Sequence, residues 1–251
     1  MTVRVEIKNA SVSYFLRKSG ADARATERGA VGAQIVVGSR YLEVAALREI
    51  SLSLKKGDRV GLIGINGSGK STLLKLCAGA LAVQSGSVEI KGRVSLQFAL
   101  GSGIKAELSG RQNTELKCLY MGIPQKKIAA YVEEVRDLSG LGGYFELPIR
   151  SYSAGMRSRL VMSLLRLVRG DILIMDEWIS TADATINKTI STLQSDLIAN
   201  SSIVIMASHS QRILEDWTDT LIWLDAGRIR EIGKTQIVFS RYNLWMKHRN
   251  N

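Results

Sequence analysis

The chain has little of what several protein classes require. Two cysteines, Cys77 and Cys118, among 251 residues are too few for a disulfide framework. Each lies in an apolar helical pattern, so both read as buried free thiols of a protein from a reducing compartment. With two histidines and no Cys/His cluster, a structural zinc site is excluded. No apolar run reaches the ~18 residues needed to cross a bilayer. The opening MTVRVEIKNA alternates like a strand and lacks the apolar core of a signal peptide. Any hold on a membrane must then come through another polypeptide. Acids are also in short supply: 23 Asp and Glu against 34 Lys and Arg leave a net charge of +11. That balance suits a polyanion, whether nucleic acid, an anionic membrane face or a polyphosphate. The apolar fraction of 45% is ordinary for a soluble globule long enough to bury a real core.

Hydrophobic periodicity divides the chain. Val3 to Lys8 and Ile50 to Leu54 alternate like half-buried strands. Between them, RKSGADARATERGAVGAQ is small, polar and Arg-rich, and reads as a long loop or insertion within 17–40. RVGLIGI is a short, continuously apolar strand of the buried parallel type. A helix from about Lys70 follows, then strand-like GSVEIKGRVSLQF. From Ile104 to Val168 the periods are helical. Strand–helix alternation then returns with DILIMDE, a helix from Asp183, SIVIMAS, a helix from Gln211, and DTLIWLDAGRIREIG. The expected architecture is α/β: a parallel core with an N-terminal antiparallel β part, at 1–103 and 169–233, interrupted by a helical subdomain at 104–168. A basic, weakly helical tail covers 234–251.

GINGSGKST, Gly64 to Thr72, follows an apolar strand and opens a helix, which is the context a G-x-x-x-x-G-K-[ST] phosphate loop requires. Gly64, Gly67 and Gly69 let the backbone turn so that successive amides face phosphate oxygens. Lys70 brings a point charge to the β/γ oxygens and Ser71 a hydroxyl for Mg²⁺. Asn66, Ser68 and Thr72 complete the nucleotide-binding stretch. ILIMDE is a buried strand ending in two carboxylates: Asp176 suits Mg²⁺ held through its water shell, and Glu177 suits a general base on the attacking water. His209 ends the strand SIVIMAS, from which its imidazole reaches the γ-phosphate and orients that water.

SYSAGMRSRL adds a puzzle. Ser153, Ala154 and Gly155 open a helix with free amides, a second anion-binding device. One nucleotide needs one phosphate loop, so this second device must face another nucleotide. Two copies packed head to tail satisfy that requirement, each YSAGM covering the ATP held by the other copy, with Ser153 and the Gly155 amide on the γ-phosphate.

Taken in order, the phosphate loop, helical insertion, YSAGM, ILIMDE, STAD and SHS resemble an ATP-binding-cassette ATPase over nearly the whole chain. The resemblance implies a P-loop NTPase fold of the RecA-like kind, ATP and Mg²⁺ as cofactors, and a homodimer. It makes Asp183 the D-loop aspartate and Tyr14 the aromatic that stacks on adenine, with Tyr41 an alternative. Gln97 lies in the region of the Q-loop glutamine, a Mg²⁺ ligand, slightly early relative to LSGRQN. Two departures are specific. The common signature is Leu-Ser-Gly-Gly-Gln, whereas this chain has Tyr152-Ser153-Ala154-Gly155-Met156, and Trp178 follows the carboxylate pair. The Tyr-Ser-x-Gly-Met signature, together with FALGSGIKAELSGRQN, resembles the polysaccharide-exporting subfamily, in which Leu100, Gly101 and Gly103 match a loop near the membrane-facing side.

That resemblance implies the ATPase of an exporter of lipid-linked glycan (O-antigen, capsule or teichoic acid) working with two copies of a separate membrane permease at the cytoplasmic face of the bacterial inner membrane. With its end at residue 251 the chain is expected to lack the carbohydrate-binding domain that some O-antigen exporters append. Export of a drug or lipid is the nearer alternative. A nucleic-acid-associated cassette is the farther one, and one intact cassette without heptads or aromatic-basic interleaving argues against it and for no nucleic-acid partner.

Overall fold

The computed structural model describes residues 2–17, 34–37, 41–98, 103–168, 170–176 and 188–249, with backbone alone at 34–37, 97, 98, 188–191, 193 and 194. In chain order the elements begin with β1 (Arg4–Arg17), β2 (Gln34–Val37), β3 (Tyr41–Lys55), β4 (Arg59–Ile63), α1 (Lys70–Cys77), β5 (Ser85–Lys91) and β6 (Val94–Phe98). Helices α2 (Gly110–Tyr120), α3 (Gln125–Ser139) and α4 (Ala154–Ser163) follow, then β7 (Ile172–Asp176), α5 (Lys188–Asn200) and β8 (Ile203–Ala207). The last elements are α6 (Gln211–Trp217), β9 (Thr220–Asp225), β10 (Arg228–Lys234) and α7 (Thr235–Arg249). They belong to two units: Met1–Gln97 with Asp171–Trp178 and Ser202–Asn251, and Phe98–Gly170 with Ile179–Ser201.

The first unit carries two sheets. One is antiparallel, in the order β2-β3-β1-β5; the other runs β10-β9-β4-β8-β7-β6. In the second sheet β4 is parallel to both β8 and β9, β7 is parallel to β8, and β10 returns antiparallel at the edge. The central strands are continuous runs of aliphatic residues because both faces are covered, and every residue of Ile203–Ala207 is buried. Edge strand β10 alternates between exposed and half-buried positions instead. Parallel register brings Leu62, Ala207 and Asp176 to one level across β4, β8 and β7. The chain therefore leaves these strands on a single edge of the sheet, where open α/β sheets bind ligands.

Three sequence expectations change in detail. GSVEIKGRVSLQF is two strands, broken at Gly92 in the left-handed region, φ 126°. The helix expected from Asp183 is described from Lys188 onward, and 183–187 lie outside the described residues. The tail is a well-anchored helix of 15 residues. Its Tyr242 and Trp245 meet the Trp223 ring edge-on at centroid distances of 5.4 and 5.2 Å, the Arg230 guanidinium sits 4.3 Å over Trp223, and Thr235 is hydrogen-bonded to Thr218. Aromatic packing and cation–π contact hold what intrinsic helix propensity alone would leave frayed.

The second unit is helical, with a core that includes Val132, Val135, Phe145, Tyr152, Leu160 and Leu167. Ser109 and Gln112 form a capping box at the start of α2. Asn113 closes the preceding loop: its Oδ1 accepts from Lys105 N–H at 2.7 Å, and its Nδ2 donates to the Lys105 and Ser109 carbonyls. Among the described residues no helix is long and apolar enough to cross a membrane.

Candidate functional site

The loop between β4 and α1 is built to present backbone amides. Gly69 is the N-cap of α1 at φ 107°, offers no side-chain cap, and no acid stands in the first turn. The helix therefore opens with its positive dipole end facing the loop. A Cβ on Gly69 would lie 2.6 Å from the Ala46 carbonyl oxygen, so only glycine permits this close approach. Lys70 Nζ donates to the carbonyls of Gly64 and Ile65 at 2.7 and 3.1 Å, which lays the ammonium across the mouth of the loop. Behind it, Gly227 N–H donates to the Ser68 carbonyl at 3.0 Å. The Ser68 hydroxyl is buried without a hydrogen-bond partner. Asn66 and Gly67 are exposed at the tip, and Ser71 is exposed on the first turn of α1. An uncapped helix start, a lysine over it and a cradle that a Cβ would fill make a group of residues that fits a polyphosphate.

Two more predicted positions lie on the same sheet edge. Asp176 is the last residue of β7 and half-buried. With one strand between it and β4, its Cα stands roughly 10 Å from that of Leu62 at ordinary strand spacing. His209 is exposed, just past β8. It sits in a turn where the Ser208 hydroxyl accepts from Ser210 N–H at 3.1 Å and Ser210 in turn caps α6. Gln97 is on β6 beside β7 by its backbone. Glu177, Trp178, Asp183, Leu100 and Gly101 lie outside the described residues.

The two tyrosine candidates lie at different points of the β1–β3 ladder. The Tyr14 hydroxyl is 3.5 Å from Thr72 Oγ1, within reach of the phosphate loop, and its ring is partly exposed. Tyr41 pairs with Arg17, three residues further out along the β1–β3 ladder than the Tyr14–Val44 pair.

In the second unit Ser153 is the N-cap of α4, its hydroxyl accepting from Met156 N–H at 3.2 Å. It is exposed, and as at α1 no acid occupies the first turn. Composition and motif reading passed over Arg111. Its guanidinium grips Glu146 through Nε and Nη2 at 3.0 and 2.8 Å and pairs with Glu133 at 3.0 Å. The two cysteines carry no chemistry here. Burial pushes the Cys77 thiol up to about 12 and also raises that of Cys118, which keeps both protonated and unreactive.

A buried parallel strand, a glycine loop and a helix opening on lysine, with a carboxylate ending a parallel strand of the same sheet, define a P-loop α/β protein. More narrowly, the chain belongs to the ABC transporter family, whose model matches residues 47–180. It is 36% identical over 199 residues, 79% of its length, to the O-antigen export system ATP-binding protein RfbB of Myxococcus xanthus, of which it covers 46%. It is 30% identical over 247 residues to the teichoic acids export ATP-binding protein TagH of Staphylococcus epidermidis, covering 98% of this chain and 90% of that one. The chain spans about half the length of the first curated relatives it matches. Its fold is that of the ATP-binding cassette MJ0796, solved as a dimer in a post-hydrolysis state bound to ADP and Pi: TM-score 0.67, 17% identity, 92% of this chain and 98% of that one.

Proposed function

We propose that this chain is the ATP-hydrolysing subunit of an exporter that moves a lipid-linked, O-antigen-like polysaccharide across the bacterial inner membrane through a separate membrane permease. The observation that carries the ATP-dependent part is the uncapped start of α1 with Lys70 laid across it. The glycan rests on the relatives named for O-antigen and teichoic acid export and on the YSAGM and LSGRQN segments.

In this reading the amides of 66–72 hold the β- and γ-phosphates, and Lys70 moves from the Gly64 carbonyl to the phosphate oxygens. Bound Mg²⁺ would supply further positive charge there, with Ser71, Asp176 and Gln97 as its protein-side holders. Glu177 takes a proton from the attacking water, and His209 orients that water from the neighbouring strand end. Tyr14 stacks on the adenine. Ser153 and the α4 amides complete the site of a second copy, with Asp183 communicating between the two. Hydrolysis then requires two chains, and two permease copies hold the pair at the cytoplasmic face.

Turnover measured on the purified chain tests the chemistry. Lys70→Ala should abolish hydrolysis. Glu177→Gln should bind ATP and stop turnover, leaving an ATP-bound dimer. A Glu177→Gln chain with wild-type turnover would remove Glu177 from the base role. Co-purification with a permease encoded beside glycosyltransferases tests the transport half, and a partner encoded beside a drug-resistance regulator would reassign the substrate.

A further inference from the structure

The residue in front of Ser153 is fixed by more than core packing. Tyr152 is buried, and its hydroxyl donates to the Tyr144 carbonyl at 2.7 Å. The same oxygen occupies the space where a side chain on Gly110 would begin: a Cβ there would lie 2.7 Å from it, and 2.9 and 3.0 Å from Phe145 Cδ2 and the Phe145 carbonyl. Gly110 is the first residue of α2, and Tyr144 belongs to the short 3₁₀ turn Gly142–Glu146. Arg111 binds that turn to α2 through its fork on Glu146, and its guanidinium stands 5.8 Å over the Phe145 ring. The phenol is thus held from two sides by elements that are themselves tied together, one residue before α4 begins. Burial raises the Tyr152 phenol above its ordinary value, so at neutral pH it remains a protonated donor. The other buried members of this cluster are aliphatic residues, Phe145 and Cys118, with Tyr131 packed at its partly buried edge. Tyr152 is the member that carries a hydroxyl into the buried interior, where packing alone would be met by a phenylalanine.

We propose that Tyr152 is a positioning residue for the composite site: its hydroxyl, seated over Gly110 and bonded to Tyr144, sets the direction in which Ser153 and the first amides of α4 face the nucleotide of a second copy. Gly110 and Tyr152, far apart in sequence, are then a matched pair, because only glycine at 110 leaves room for the phenol. The proposal rests on the reading that α4 serves a second copy's nucleotide, and it adds to that reading which atoms aim the helix.

Sedimentation equilibrium of the full chain with Mg²⁺ and the slowly hydrolysed analogue adenosine 5′-(γ-thio)triphosphate tests it, alongside the monomer's affinity for the same analogue and thermal melting. Tyr152→Phe removes the donated bond while keeping the ring, and Leu147 N–H still bonds the Tyr144 carbonyl at 2.9 Å. That bond lies within one chain and is made in monomer and dimer alike, so its loss reaches the dimer only through misalignment of α4. The effect is bounded by the worth of one neutral hydrogen bond, about fivefold per site, hence up to roughly 25-fold on the dissociation constant of a symmetric dimer with two sites. Nucleotide affinity at the chain's own loop should stay unchanged. Gly110→Ala should weaken the dimer as well, and adding Tyr152→Phe to it should cost less than the two changes summed, because one of the three close contacts is relieved. A Tyr152→Phe dimer within twofold of wild type, with only the melting temperature lowered, overturns the proposal and leaves Tyr152 a core residue. If Gly110→Ala precipitates, Tyr152→Phe alone decides. A wild-type chain that stays monomeric with the analogue overturns the composite-site reading and this inference with it, an outcome distinct from failure of Tyr152 alone.

Discussion

The Tyr14 hydroxyl stands 3.5 Å from Thr72 Oγ1, which ties the aromatic on β1 to the first turn of α1 across 58 residues of sequence. This contact is what supports the proposed stacking of Tyr14 on the base. Tyr14→Ala should raise the dissociation constant for ATP about tenfold, since stacking a base on an aromatic is worth about 1–3 kcal/mol. Tyr14→Phe should be nearly silent, and Tyr41→Ala silent. Fluorescence titration with ATP and with bare triphosphate reads the effect, and triphosphate binding should not change. An equal loss in Tyr41→Ala would move the stacking role to that residue.

Gly69 supports a steeper effect. At φ 107°, with the Ala46 carbonyl 2.6 Å from where a Cβ would be, alanine forces the loop away from β3 and twists the first amides of α1. Gly69→Ala should lose ATP binding by more than 100-fold and also lower the melting temperature, because the strain of an unfavourable φ costs on the order of 1–3 kcal/mol. Isothermal titration checks the binding. Unchanged affinity would mean that the loop does not need this turn.

What the sequence made readable and what it hid divide along one physical line. RVGLI, ILIMD and IVIMA announced buried parallel strands because burial on both faces leaves its mark residue by residue. The phosphate loop was readable because its glycines, Lys70 and Ser71 act as one contiguous peptide. Partnerships between distant residues leave no such mark. Nothing in LSGRQN says that Arg111 reaches Glu146, or that Gly110 lies under the hydroxyl of Tyr152. The same holds for α7, whose stability comes from Trp223 on a strand that precedes it. The pairing of Tyr14 with Val44 and of Tyr41 with Arg17 is likewise a matter of β1–β3 register, which a long intervening insertion concealed.

The cysteines give a test of burial that is independent of function. With Cys77 raised to about 12 and Cys118 raised as well, native protein at pH 8 should take up essentially no iodoacetamide within the time that denatured protein is alkylated at both thiols. Mass spectrometry counts the adducts. Rapid labelling of Cys77 in native protein would mean that α1 opens readily from the sheet.

The Arg111–Glu146 pair predicts a direction with pH. The Arg111 hydrogen bond holds the Glu146 carboxyl below the usual carboxylate range. A depressed folded-state value contributes stability that is present above the unfolded carboxylate pKa of about 4.3 and lost as pH falls through the folded value. Arg111→Ala should therefore lower the melting temperature at pH 7 and converge on wild type in acid. Glu146 is half-exposed, so high salt should shrink the difference. A gap that widens on acidification would contradict this.

Ser153 offers the test of whether two copies share their sites. Ser153→Arg places a long cation where the α4 amides would meet a γ-phosphate, so closure should fail for steric reasons and through loss of the cap. The chain's own loop, with Lys70 and Ser71 intact, should bind ATP as before. Neither Ser153→Arg nor Lys70→Ala should hydrolyse ATP alone. Mixed in equal amounts they form hybrid dimers in which both defects fall on one composite site and the other site is chemically whole. Half of the dimers are hybrids with one good site of two, so recovery of up to about a quarter of wild-type turnover is expected if the sites fire independently. Strict coupling would suppress that recovery, which is why ATP-dependent dimerisation must be followed in the same mixture: hybrids that form yet stay silent indicate coupled sites. If Ser153→Arg weakens ATP binding to the monomer as much as Lys70→Ala does, the signature turn serves its own chain's nucleotide, and the two-copy site is wrong.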